Sequence, residues 1–151
     1  MEEDRSFLDN LIGDWVLTGF MGNVKLQQDV EARWVLGHRY VSMYFNSTTP
    51  EDNPTSNYEA LYHIGFNTDE NLYVFHLFDT SDVPIKCDMG LGKREGNRIP
   101  FLFDYDGTNF FNILIWHPDE RKWTFVQEYE EDGKIKLFAK KSMVEVAQSS
   151  A

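Results

Sequence analysis

The sequence predicts an all-β fold, an antiparallel up-and-down β-barrel of about ten strands preceded by a short N-terminal helix. Three observations carry that prediction. From residue 24 onward apolar residues recur with a period of two; turn residues cut the chain into pieces of strand length; and helical spacing is confined to the first dozen positions. Strands joined only by short connections form a meander, and ten twisted strands avoid exposed edges best by closing on themselves.

The opening EEDRSFLDNLIG spaces Phe7, Leu8, Leu11 and Ile12 at helical intervals and then meets Gly13, where a short amphipathic helix ends. In VKLQQDVEARWVL the alternation sets Val24, Leu26, Gln28, Val30, Ala32, Trp34 and Leu36 on one face. Lys25, Gln27, Asp29, Glu31 and Arg33 fall on the other, so one face of that strand is inside and one is wet. Turn signals follow at LGH (Leu36 to His38), NTDEN (Asn67 to Asn71), REGN (Arg94 to Asn97), DG at Asp106, HPDER (His117 to Arg121) and DG at Asp132. The strands they delimit run Asp14 to Met21, Lys25 to Leu36, Arg39 to Asn46, Tyr58 to Phe66 and Leu72 to Asp79. The second five run Val83 to Lys93, Arg98 to Tyr105, Asn109 to His117, Lys122 to Glu130 and Lys134 to Met143. The polar, proline-containing STTPEDNPTSN, Ser47 to Asn57, suits a flexible loop at a barrel mouth. One domain spans residues 1–146, and VAQSSA ends in a frayed tail at 147–151.

Composition narrows the function. A chain of 151 residues with 42% hydrophobic and 15% aromatic content suits one domain with a sizeable core. Its net charge of −11 repels phosphate backbones and anionic membrane surfaces, so neither nucleic acid nor a membrane is an expected partner. The single cysteine, Cys87, permits no internal disulfide and reads as an ordinary strand thiol, since no His or second Cys stands at metal or catalytic spacing. The start MEEDRSFLDN lacks the basic and apolar regions of a signal peptide, and no apolar run approaches the roughly 20 residues of a membrane span. A cytoplasmic protein is expected, in which the sequon at Asn46 is idle.

LIGDWVLTG (Leu11 to Gly19), EARWVLGHRYV (Glu31 to Val41), YEALYHIGFNTDENLYVFHLFD (Tyr58 to Asp79) and WTFVQEYEEDGKIK (Trp123 to Lys136) resemble the DUF1579 family. That is a calycin-like group of small β-barrels of unassigned function, and the resemblance covers nearly the whole chain. It implies a lipocalin-like or fatty-acid-binding-protein-like barrel with an interior suited to a small apolar ligand. The G-x-W at Gly13 to Trp15 is shared across calycins, and the resemblance assigns Trp15 the plug of the closed end. Two positions depart from the family: Asn67 replaces its usual aspartate, and His76 stands where an apolar aromatic is common. The related nitrobindins hold haem through a histidine near the C-terminal strands. Here His117 precedes Pro118 in an apparent turn, and GFMG is not their glycine pattern, so no cofactor is expected and haem is a lesser alternative. Fatty-acid-binding relatives hold a carboxylate with an arginine and a tyrosine near the last strand; KIKLFAKK offers lysines and no R-x-Y, so a fatty acid lacks its expected anchor.

Catalytic signatures are absent: no G-x-S-x-G elbow, no H-E-x-x-H, no phosphate loop and no paired C-x-x-C. GLGKREG has the wrong glycine spacing for phosphate, and DYDGTN lacks the later ligands of a calcium loop, so both read as turns. No metal site is expected. The hairpin YHIGFNTDENLYVFHLFD leaves its register open. A loop of four residues, with Phe66 opposite Asn71, puts His63 and His76 on one face as diagonal neighbours able to share a ligand; a loop of five separates them. Both faces of this hairpin are apolar, which suggests that its outer face is covered by the N-terminal helix or by a second subunit. The Asp106-Gly107 hairpin sets Ile99, Phe101, Phe103 and Tyr105 against Phe110, Asn112, Leu114 and Trp116, with Asn112 the polar exception. Trp123, Phe125, Gln127 and Tyr129 share the inner face with Phe138.

About eight strands already leave room for one small ligand, and ten leave at least as much. The expected function is therefore binding of a small, mainly apolar or lipid-like molecule, with His63, His76, Asn112, Gln127, Tyr129 and Trp34 as ligand-binding candidates. Two alternatives stand beside it. One is an enzyme using a histidine as general base in the cavity on a small ester or carbonyl compound; the other is a filled barrel acting as a homodimeric interaction protein.

Overall fold

The structure, a computed structural model, describes residues 2–81, 88–105 and 107–146. Among them a helical turn α1 (Glu2–Ser6) runs into a 3-10 turn (Phe7–Leu11) and then into ten strands: β1 (Gly13–Met21), β2 (Val24–Val35), β3 (Tyr40–Ser47), β4 (Glu59–Asn67), β5 (Leu72–Asp79), β6 (Asp88–Gly92), β7 (Arg98–Tyr105), β8 (Thr108–His117), β9 (Lys122–Glu131) and β10 (Lys134–Glu145). Each strand pairs antiparallel with the next, and β10 returns to pair with β1, closing the barrel. The expected boundaries agree within a residue or two except at β6, where Val83 to Cys87 lie outside the described residues, as do Asp106 and the tail at 147–151. No helix among the described residues is long and apolar enough to cross a membrane.

The period of two becomes an inner and an outer surface. Leu26, Gln28, Val30 and Ala32 of β2 are buried while Lys25, Asp29, Glu31 and Arg33 are exposed. Ile99, Phe101 and Phe103 oppose Leu114, Asn112 and Phe110 in the register expected of that hairpin. At the β2–β3 turn Leu36, Gly37 and His38 all take positive φ (54°, 65° and 63°), so the inward run of β2 ends before Leu36, which is exposed.

The N-terminal segment closes one end. Phe7, Leu8 and Leu11 are buried against Trp15 and Trp123 in a single core, and Phe7 meets Trp123 edge-on at 5.8 Å. The indole of Trp15 donates to the Leu11 carbonyl at 2.8 Å, and that of Trp123 to the Asn10 carbonyl at 2.9 Å. Arg94 binds the Asp4 carboxylate at 3.0 Å while lying over the Phe7 ring, and the Tyr73 hydroxyl donates to the Asp4 carbonyl. Trp15, 1% exposed, thus holds the closed end. The N-terminal segment plugs the barrel through its 3-10 turn and leaves the outer face of β4–β5 alone: Leu61 and Phe78 there are 39% and 48% exposed.

At the opposite end the loop between β3 and β4 is tied down. The Asn53 side chain accepts from the backbone and hydroxyl of Thr55 and donates to the Lys25 carbonyl, and the Thr48 N–H donates to Gln27. An Asx turn therefore gives this polar segment its own hydrogen bonds. The β4–β5 register is a further departure from expectation. Asn67 pairs with Leu72, Phe66 with Tyr73, and His63 stands directly opposite His76. The cause is local: the Asn67 carboxamide accepts from the N–H groups of Asp69 and Glu70 and fixes the turn inside residues 68–71.

Burial at the plug predicts a steep penalty for Trp15→Ala, about 3–5 kcal/mol of unfolding free energy in urea denaturation. Trp34→Ala, which leaves the core closed, is expected to lose only about 1 kcal/mol, and equal losses would contradict a plug centred on Trp15.

Candidate functional site

The barrel is packed at the plugged end and hollow at the other. Beneath the mouth lies a cavity of about 470 Å³ whose apolar wall comes from Met21, Leu26, Leu77, Phe110, Phe138 and Ala139. Its polar lining is Gln28, Thr55, Tyr58, Tyr62, Asp79, Ser81, Tyr105, Gln127 and Lys141. The next inward positions, Phe75, Phe103, Leu114, Phe125 and Met143, belong to the packed core and form the floor.

Lys141 is the residue that alternation alone mislays. With Phe138 inward, a regular strand would carry Lys140 and Ser142 inward and Lys141 out. Instead the ladder shifts between Leu137 and Ala139: Leu137 pairs with Glu128 and Ala139 with Gln127, leaving Phe138 as an extra residue. The bulge keeps Phe138 at the cavity and turns Ala139, Lys141 and Met143 inward, all three buried. A signal existed in the sequence, because apolar Met143 fits only the shifted phase.

Lys141 is buried, its residue being 8% exposed, and no carboxylate lies at ion-pairing distance among the described residues. Burial pulls its pKa from 10.5 down to about 8, and the more distant charge of Asp79 opposes that shift. Asp79 itself, the last residue of β5, is exposed at the rim and already accepts from the Tyr58 hydroxyl at 3.0 Å and from the Ser81 hydroxyl at 2.6 Å. Burial and the Asp79 charge hold the Tyr58 and Tyr62 phenols well above their ordinary pKa, so both are neutral hydrogen-bonding groups.

Beside Lys141 runs a polar row. Asn112 of β8 pairs with Gln127 of β9, which pairs with Ala139 of β10, and Lys141 is the next inward residue along β10. Opposed side chains start about 5 Å apart, and a lysine spans the diagonal with ease. Asn112 is 1% exposed, and neither atom of its carboxamide has a hydrogen-bond partner among the described residues. Its dipole acts on the Tyr62 hydroxyl enough to favour the phenolate slightly, but without a hydrogen bond of good geometry.

Of the six candidates, Gln127 lines the cavity, and Asn112, buried opposite it on β8, is not part of the lining. Tyr129 stands near the mouth, edge-on to Phe138 at 6.5 Å, without lining the cavity. Trp34 belongs to the plugged end, where its indole donates to Asp9 at 2.8 Å and stacks on His38. His63 and His76 are corrections to the expected cavity: they share a face, but it is the outer one, because the inward set of this hairpin is Ala60, Tyr62, Ile64 and Phe66 with Tyr73, Phe75 and Leu77. Burial against the sheet and the neighbouring His76 lower the His63 pKa. His117 is at the plugged end on Thr124, so none of the four histidines lines the cavity. Among the described residues no group of three or more His, Cys, Asp or Glu side chains is placed to hold a metal ion.

Compared with known proteins, the chain matches no family model and no curated protein.

Two stability measurements test this geometry. The folded-state pKa of Lys141 lies below its unfolded value, so the folded state binds fewer protons between about pH 8 and 10.5 and stability rises with pH across that window. Below pH 8 the buried charge costs the folded state up to about 3 kcal/mol. Lys141→Met is therefore expected to be more stable than the parent at pH 7, with the gap narrowing from pH 8 to 9.5, before the tyrosines lose their protons in the unfolded chain. A gap independent of pH would contradict a buried ammonium. Asn112→Leu is expected to stabilise by about 1–3 kcal/mol, since it removes two unsatisfied polar atoms at similar volume; lost stability would mean that the carboxamide is satisfied in solution.

Proposed function

We propose that the protein is a binding barrel that holds one small, mainly apolar molecule in the cavity beneath its mouth. The observation that carries this reading is the cavity itself: about 470 Å³, within the range that encloses drug-sized ligands, walled by apolar and aromatic side chains with a few polar groups converging on it. A packed plug at the other end makes it a blind pocket, which favours retention of a guest over passage through the barrel. Binding is preferred to catalysis because the general base expected of a cavity enzyme is absent: all four histidines point elsewhere. A closed antiparallel barrel with a tryptophan plug supports the calycin-like reading and the DUF1579 assignment as part of this proposal. We place the protein in the cytoplasm, in keeping with a chain whose one cysteine can form no internal disulfide.

The neutral fluorophore N-phenyl-1-naphthylamine tests the reading. Its emission is expected to rise on binding at micromolar protein, and filling the cavity with Leu77→Trp or Ala139→Leu is expected to weaken binding about tenfold or more, with far-UV circular dichroism unchanged. Absence of binding, or binding indifferent to both substitutions, overturns the proposal.

A further inference from the structure

We infer that the guest is an organic acid, an apolar body bearing one anionic group, and that it enters anion-first to ion-pair with the Lys141 ammonium at the cavity floor. This rests on the binding-barrel reading and gives its ligand a chemical class.

A cation taken out of water needs a partner, and a buried polar group without one is costly. Lys141 is the cation among the residues lining the cavity and, among the described residues, has no anion at pairing distance. A neutral apolar guest would strip the remaining water from that ammonium and deepen the penalty, and a cationic guest would be repelled by it. An anionic guest removes the penalty by supplying the missing partner. The Gln127 carboxamide, on the next strand and on the diagonal from Lys141, adds an N–H donor for a second oxygen of the same group.

Charge placement sets the direction of entry. Asp79 is at the rim, the protein carries −11 overall, and Lys141 is at the floor, with Met143 beyond it already in the core. An anion halted at the mouth meets like charge; carried inward, it meets the ammonium while its apolar body contacts Leu26, Leu77, Phe110 and Phe138. At pH 7 a group titrating near 8 is about nine-tenths protonated, so the counter-ion is in place under neutral conditions. The other titratable groups sharing the cavity are Asp79 and the phenols of Tyr58, Tyr62 and Tyr105; β1 and β9, which flank Lys141, present Gly19 and Phe125 opposite it.

The test compares N-phenyl-1-naphthylamine with 8-anilino-1-naphthalenesulfonate, the same skeleton carrying a sulfonate, on the intact protein. At pH 7, Lys141→Met is expected to weaken the sulfonate probe about tenfold or more while leaving the affinity for the neutral probe undiminished or raised. In the parent protein the affinity for the sulfonate is expected to fall as pH rises through and beyond about 8, and that for the neutral probe to stay level or rise. If the neutral probe binds but Lys141→Met moves both probes equally or neither, or if the parent's sulfonate affinity is flat in pH, the acid inference fails and the binding barrel stands. If neither probe enters the cavity, the binding barrel fails and the inference goes with it. The pH titration needs no substitution, so an unfolded variant would not protect the inference.

Discussion

Closure of the ladder at the β1–β10 seam is the constraint on which the rest of this structure depends. Pairing from Trp15 opposite Glu145 to Phe20 opposite Lys140 removes both sheet edges at once and forces every strand to divide its side chains between an interior and an exterior. The seam is tight at Gly19, where a Cβ would stand 2.2 Å from the Lys140 carbonyl oxygen and 2.7 Å from the Lys141 Cα. Any side chain there would push β10 away, so a glycine in β1 helps decide where the interior lysine of β10 sits.

A ten-stranded ring has more interior than aliphatic side chains readily fill, and the two ends treat that excess differently. Near the plug, aromatic rings interlock: Phe75 packs edge-on against Phe101 at 5.0 Å and Phe103 at 5.2 Å, and Tyr62 lies 4.2 Å from Phe45 and 4.7 Å from Phe75. Gly90 takes part by omission, since a Cβ there would come within 2.5 Å of the Phe103 ring. Toward the mouth the inward residues shrink or become polar, at Gly19, Gln28, Ala139 and Gln127, and among the described residues no segment enters to replace the lost volume. The cavity is thus the space left when a rigid aromatic packing stops partway along a barrel whose girth is fixed by hydrogen bonds.

Most of the barrel was legible because alternation and turn chemistry are local. The β7–β8 and β8–β9 faces follow directly from where the turns fall, and with them Asn112 and Gln127 were found as polar residues on an apolar wall. What was not legible depended on events that shift phase. The Asn67 side chain caps its own turn and moves the β4–β5 register, which sets His63 against His76, and only closure of the barrel decides that their shared face is the outer one. Trp34 lies on the inward face of its strand, yet the strand tilts through the barrel wall, so its far end meets the plug and its near end the cavity. The bulge at Phe138 had the largest consequence, because one extra residue exchanged a wet lysine for a buried one and hid the group that gives the cavity its charge.

That exchange explains why the two energetic exceptions of the interior fall together. A barrel selected for stability alone would carry leucine at 112 and methionine at 141, and both substitutions fit the surrounding apolar wall. Instead a carboxamide and an ammonium that lack partners among the described residues stand on strands joined through Gln127, the second of them lining the cavity. Only Lys141 borders the cavity, and a guest that brings its own anion would remedy that exception, so on the proposed reading the local rule of burial is broken where a ligand would restore it. On the proposed reading the free protein carries a penalty that binding relieves, so the affinity for an acid would draw on the same free energy that the empty barrel lacks in stability.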